Sequence, residues 1–186
     1  MGTAHWLLTW RTYGTWLPGD CRGFVSNVRG ADRRGERHNV PGTEYDHDLP
    51  ALERYAREQM KGVPIYLTPK QAGLVADDLR ASAAHRGWLL PALAVMANHV
   101  HLVVAAPEEV PTDRLLQVFK SYASRRLNGS STKPANGTWW AASGSRRRLP
   151  HENAVDAAVA YVQNQPNPLV VWAEPAEPVD PPNRGR

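Results

Sequence analysis

The sequence has a single cysteine and no long hydrophobic run, and both shortages limit what the protein can be. Cys21 has no second cysteine with which to form an intramolecular disulfide. No segment approaches the roughly 18 consecutive apolar residues that a membrane-spanning helix needs. The first residues also lack the pattern of a signal peptide. These absences predict a soluble protein of a reducing, cytoplasmic compartment, with no membrane partner.

The length and charge of the chain limit the number of domains and the kind of partner that we expect. The 186 residues are enough for one domain with a sizeable core. A net charge of +4 and a pI of about 9.5 are compatible with a polyanionic partner but do not identify one. We predict a single domain over residues 1–172, with a polar excursion at about residues 20–60. Residues 173–186 form a proline-rich tail that we expect to be disordered.

Local patterns predict an alternation of strands and helices. The predicted order is strand, helix, strand, strand, helix, strand and a final helix, which is the split βαβ, ferredoxin-like arrangement of an α+β protein with an antiparallel sheet. The predicted strands are His5–Tyr13, Trp88–Met96, His99–Ala105, part of Trp139–Leu149, and a short edge strand at Leu169–Trp172. The predicted helices are a short one at Ala51–Met60, one that Thr68 caps, one that starts at Thr112, and a last one from Ala154 to about Gln165.

Two histidines inside one predicted strand are the first candidate for chemistry. His99 and His101 are two residues apart in the stretch Met96–Val104 (MANHVHLVV). Because side chains alternate along a strand, both imidazoles project from the same face and can bind one metal ion. The spacing alone is equally compatible with two half-buried histidines that are bonded to backbone carbonyls.

The last predicted helix adds a tyrosine. Tyr161 and Gln165 are four residues apart, which places them on one face of a helix. Taken alone, Tyr161 would be expected in the core and Gln165 at a solvated helix end. Tyr122 is a competing tyrosine, since it also lies in a predicted helix.

Together these segments resemble the HUH-type single-tyrosine transposases, in particular the group related to REP-associated tyrosine transposases. The His-hydrophobic-His strand at Met96–Val104 and the helix segment Tyr161–Gln165 (YVQNQ) carry the resemblance, along with the opening His5–Gly14 (HWLLTWRTYG).

The resemblance implies a metal-dependent transposase that cleaves and rejoins single-stranded DNA. Tyr161 would be the nucleophile and form a 5′-phosphotyrosine intermediate, while His99, His101 and Gln165 would hold Mg²⁺ or Mn²⁺. The implied partner is single-stranded DNA with hairpin or repeat ends, and the protein would be a monomer or a homodimer that exchanges the tyrosine helix. The implied location is the bacterial cytoplasm, at the nucleoid when the protein is bound to DNA.

Basic and aromatic side chains are the candidates for binding that DNA, through phosphates and unstacked bases. The candidates are Arg11, Trp16, Lys120, Arg125, Arg126, Arg146, Arg147 and Arg148. Two other functions remain open at this point. One is a phosphodiesterase in which a histidine-bound metal activates water, and the other is a non-catalytic DNA-binding protein derived from a transposase.

Overall fold

A five-stranded antiparallel sheet with the strand order β4-β1-β3-β2-β5 forms the centre of the molecule. The computed structural model describes residues 2–22 and 49–173. The strands are β1 (Thr3–Arg11), β2 (Leu89–Val95), β3 (His99–Pro107), β4 (Ser145–Leu149) and β5 (Val170–Ala173). The helices are α1 (Pro50–Glu58), α2 (Pro69–His85), α3 (Thr112–Asn128) and α4 (Glu152–Gln163).

Helices α2 and α3 cover one face of the sheet and form the larger core with it. Thr68 starts α2 as the N-cap of a capping box with Gln71, and proline occupies the first helical turn. Fully buried side chains of the two helices, such as Leu79 and Phe119, pack in one cluster with Leu102 of β3. Burial of this apolar face fixes which side chains of β1 and β3 point inward, and a shift of register by one residue would expose them.

The other face of the sheet is covered by α4. Ala158 and Val162 of α4 pack in a smaller cluster with Val103 of β3 and Leu149 of β4. His99 and His101 belong to this face, because they alternate along β3 with Val100 and Leu102, which point to the larger core. The histidines therefore lie on the side of the sheet that carries α4.

The structure confirms the predicted fold class and corrects several boundaries. The order β4-β1-β3-β2 is that of the ferredoxin-like sheet, and β5 is added at its edge. The strand predicted within residues 139–149 begins only at Ser145, and the last helix ends at Gln163 rather than Gln165. Most of the polar excursion and the tail from residue 174 onward lie outside the described residues. In the described part of the chain, no helix has the length and apolarity to cross a membrane.

Candidate active site

His99 and His101 form a close pair on β3. Their ring centroids are 4.6 Å apart, with the ring planes at 86°. The antiparallel register of β1 and β3 places Arg11 opposite His99 and Thr9 opposite His101. The Nδ1 atom of each histidine is engaged by a neighbour, at 2.6 Å from Asn98 Oδ1 for His99 and at 2.7 Å from Thr9 Oγ1 for His101.

Both imidazoles are neutral at pH 7. Burial, and secondarily the charge of Arg11, lower the pKa of His99 to about 4. Burial also lowers the pKa of His101 to about 4, with smaller contributions from His99 and Arg11. Metal ions bind the neutral form of imidazole, and in each ring the Nδ1 atom is already engaged. The pair therefore fits a divalent ion through the two Nε2 atoms.

Tyr161 lies beside this pair in the same chain. Its ring centroid is 5.3 Å from that of His101, with the planes at 82°. Its position near the end of α4 follows from the packing of Val162 in the small cluster, which turns the preceding residue toward the strand histidines. Tyr161 is 50% exposed, so a ligand in solvent can reach its side chain.

Gln165 is not on the helical face that the sequence predicts. The residue lies two positions beyond the end of α4, and its Nε2 donates a hydrogen bond to the backbone carbonyl of Tyr161 at 3.0 Å. The contact still keeps the side-chain amide next to the nucleophile candidate. Within residues 2–22 and 49–173, no three His, Cys, Asp or Glu side chains form a metal-binding group. A third protein ligand from Gln165 stays a prediction.

Arg11 lies next to the histidine pair, and Trp16 packs against Arg11. Arg11 shares the face of β1 that carries Thr9, and its guanidinium lies 3.4 Å from the centre of the Trp16 ring. Arg22, which the sequence did not single out, lies against the same ring at 4.7 Å and forms an ion pair with Asp20. Trp10, by contrast, is 1% exposed and belongs to the core.

The three consecutive arginines do not form one patch, because β4 alternates their directions. Arg147 lies opposite Leu7 and shares the face of Leu149, which packs in the small cluster under α4. Arg146 and Arg148 point to the opposite side and form ion pairs with Asp113 and Glu108, respectively. Only Arg147 of the three faces the histidine side of the sheet.

The remaining predicted DNA contacts lie in the α3 layer, away from the histidines. The ammonium of Lys120 donates to the carbonyls of Ala141 and Ala142, at 2.5 and 3.1 Å, and burial lowers its pKa. It is therefore occupied within the protein rather than a free surface cation. Arg125 stacks on Tyr122, with 4.0 Å from its guanidinium to the ring centre, and Arg126 is exposed in the same turn.

Tyr122, the competing tyrosine, is on the wrong side of the sheet for the histidine pair. Its ring packs against the larger core that α2 and α3 form. Hydrogen bonds from Arg86 and then from Arg125 hold the pKa of this phenol below its usual value. Among the tyrosines of the described residues, Tyr161 is therefore the one that the fold brings to the histidines.

A family model matches the segment that contains these residues. Residues 73–165, half of the chain, match the model of the family described as "Transposase IS200 like", and this range includes both histidines and Tyr161. No curated protein matches the sequence.

The solved structures that are similar to the chain include two transposases. One is a REP-associated tyrosine transposase bound to a REP hairpin, at 10% identity and a TM-score of 0.45 over 86% of this chain. The chain spans 64% of the length of that structure. The other is a candidate transposase from Deinococcus radiodurans R1, at 16% identity and a TM-score of 0.42 over 90% of this chain and 94% of that one. The family match rests on the half of the chain that carries the histidine pair and the tyrosine helix, and it shows that the protein belongs to the IS200-like transposase family.

Proposed function

We propose that this protein is a metal-dependent transposase that cleaves and rejoins hairpin-containing single-stranded DNA through Tyr161. The observation that carries the proposal is the position of Tyr161, which is half exposed and 5.3 Å, between ring centroids, from a histidine of the pair. A nucleophile next to a pair of side chains that can bind a metal ion is an arrangement that suits metal-assisted phosphoryl transfer.

The covalent step exchanges one phosphate ester for another. The Tyr161 hydroxyl oxygen attacks the scissile phosphorus, and the bond from phosphorus to the 3′ oxygen breaks. The phenol loses its proton and the 3′ oxygen gains one, which leaves a 5′-phosphotyrosine and a free 3′-hydroxyl. Because the intermediate keeps a phosphodiester bond, another 3′-hydroxyl can reverse the step without ATP.

His99 and His101 would hold the divalent ion, with Gln165 as the proposed third ligand. A bound Mg²⁺ or Mn²⁺ supplies charge stabilisation at the non-bridging phosphate oxygens and at the leaving 3′ oxygen. Nitrogen and oxygen ligands together suit Mn²⁺ well and allow Mg²⁺ with retained waters.

Residues around the pair would position the DNA. Arg11 would contact a DNA phosphate, and Trp16 would hold the Arg11 guanidinium in place by stacking against it. Arg147 extends the positive charge across the same face of the sheet. We propose a single-stranded segment on this face, with its hairpin held outside it.

The packing of α4 favours a tyrosine that serves its own chain. In the described residues, α4 contacts β2, β3, β4 and β5 of the same chain. This arrangement delivers Tyr161 to His101 without a second copy. We therefore propose cleavage in cis, with the helix-exchanging homodimer as the alternative that cross-complementation of two inactive variants would reveal.

The deciding experiment incubates the protein with end-labelled, hairpin-containing single-stranded DNA from a broad sequence pool, with Mn²⁺ or Mg²⁺. We expect a covalent protein–DNA species on a denaturing gel, linked through the 5′ end of the downstream fragment. Cleavage without a covalent species would favour the metal-activated-water phosphodiesterase. Binding without cleavage would favour the non-catalytic DNA-binding protein, and either result would overturn the proposal.

Arg147 offers a test of the DNA path. Arg147→Gln should weaken binding of single-stranded DNA and reduce the slope of log K against log salt by about one phosphate contact, or ~0.7. Arg146→Gln and Arg148→Gln are the matched variants, and they should change the slope less because their guanidiniums are already paired with carboxylates. Filter binding over a salt series measures all three. Equal slopes for the three variants would contradict a path along the histidine face.

A further inference from the structure

The turn between β2 and β3 places a side-chain oxygen against the ring of His99. His99 Nδ1 lies 2.6 Å from the side-chain oxygen of Asn98. A carboxamide oxygen can only accept, so Nδ1 must carry the hydrogen of the neutral ring. The lone pair of the imidazole is then on Nε2, the atom that remains for a metal.

Asn98 is itself fixed by its backbone. Its carbonyl oxygen accepts from the backbone N–H of Thr12 at 2.9 Å and from the Thr12 hydroxyl at 3.0 Å. The Thr15 hydroxyl lies 3.3 Å from the same oxygen and 3.1 Å from the Thr12 carbonyl. Thr12 and Thr15 are 1% and 6% exposed, so these bonds lie away from competing water. These hydrogen bonds hold the backbone of Asn98, so its side chain remains available to contact His99.

His101 has a different kind of neighbour. Its Nδ1 lies 2.7 Å from the Thr9 hydroxyl, which can donate or accept. Thr9 therefore permits either tautomer of His101, whereas Asn98 permits one tautomer of His99. Thr9 lies near the end of β1, and Thr12 lies just after it. Their partners, His101 and Asn98, are 92 and 86 residues further along the chain.

We propose that Asn98 is a positioning residue that sets the tautomer of His99, so that the Nε2 lone pair is available before a metal arrives. The inference rests on the proposed metal role of the histidine pair. A preset lone pair removes the cost of rearranging the ring when the metal binds, and loss of such a support typically lowers metal affinity about 10- to 100-fold.

The test begins with the metal-free protein, independently of cleavage. Nitrogen-15 NMR of the imidazoles should show the proton of His99 on Nδ1 in the full chain. Asn98→Ala should produce a mixture of tautomers at His99 and leave the signals of His101 in place. Asn98→Asp keeps an acceptor at the same position and should restore the Nδ1–H form.

Titration calorimetry with MnCl₂ provides the second readout. Asn98→Ala should bind Mn²⁺ about tenfold or more weakly than the unsubstituted chain. Its melting temperature should remain close to that of the unsubstituted chain, because the backbone anchor to Thr12 is kept. Asn153→Ala, at an exposed position of α4, is the control and should match the unsubstituted chain in both measurements.

Two results would overturn the proposal. One is a His99 proton on Nε2 in the metal-free protein, and the other is an Asn98→Ala protein with an unchanged tautomer. Failure of the proposed function has a different signature: the unsubstituted chain would bind no Mn²⁺ while His99 still showed the tautomer that Asn98 sets.

Discussion

Replacement of Tyr161 by Phe should abolish the covalent protein–DNA species and reduce strand cleavage by at least about 10⁴-fold, as expected when a covalent nucleophile is removed. The change deletes one oxygen atom from a side chain that is 50% exposed, and none of the described residues donates to or accepts from that hydroxyl. Folding should therefore be preserved. Denaturing gels measure the adduct, and thermal unfolding verifies that the fold is intact.

Tyr55→Phe is the matched control for this substitution. Tyr55 is 60% exposed on α1, outside the candidate site, and its variant should form the adduct at the rate of the unsubstituted chain. A Tyr161→Phe protein that still cleaves, without a covalent species, would replace the transposase mechanism with hydrolysis by activated water. A Tyr161→Phe protein that still forms the adduct would assign the nucleophile to another tyrosine.

The sequence was sufficient for the parts of the site that depend on local periodicity. The alternation of a strand places His99 and His101 on one face, and the structure confirms that geometry. The same rule applied to β4 would have separated Arg147 from Arg146 and Arg148, since a run of like charges in a strand cannot share one face. The signal that separates the three arginines is therefore present in the sequence.

Other contacts of the site depend on how segments that are distant in the sequence pair in the fold, and the spacing of residues within one segment does not reveal that pairing. Thr9 meets His101 only because β1 and β3 pair in one register, and a shift by one residue would turn Thr9 to the other face. Lys120 is a residue type that often binds DNA phosphates. Its ammonium instead donates hydrogen bonds to backbone carbonyls of a segment about 20 residues later, which its own position in the sequence does not reveal. Likewise, the spacing of Tyr161 and Gln165 does not reveal that α4 ends at Gln163 or that the amide of Gln165 turns back to the Tyr161 carbonyl.

Removal of the metal should have the second large effect. Treatment with EDTA should lower strand cleavage by about 100-fold or more, because a bound divalent ion contributes several kcal/mol of charge stabilisation in phosphoryl transfer. Addition of excess Mn²⁺ or Mg²⁺ should restore the activity. His99→Ala should show the same loss, and added metal should not restore it. His99 is the better position to substitute, since His101 is 6% exposed and its removal would leave a cavity beside Thr9.

Thermal unfolding of the unsubstituted chain and its histidine variants distinguishes a loss of metal binding from a loss of folding. A ligand that binds only the folded state stabilises it by about 2.7 kcal/mol at 100 times its Kd, so Mn²⁺ should raise the melting temperature of the unsubstituted chain. The shift should disappear in His99→Ala and persist in His5→Ala, which changes a histidine of β1 on the same face of the sheet. Full cleavage in EDTA, or an Mn²⁺ shift that survives His99→Ala, would show that the histidine pair does not hold the ion. The geometry makes that outcome unexpected, because both imidazoles are neutral and both Nδ1 atoms are engaged, which leaves the two Nε2 atoms for a metal ion in a site where the His101 ring lies beside the exposed Tyr161.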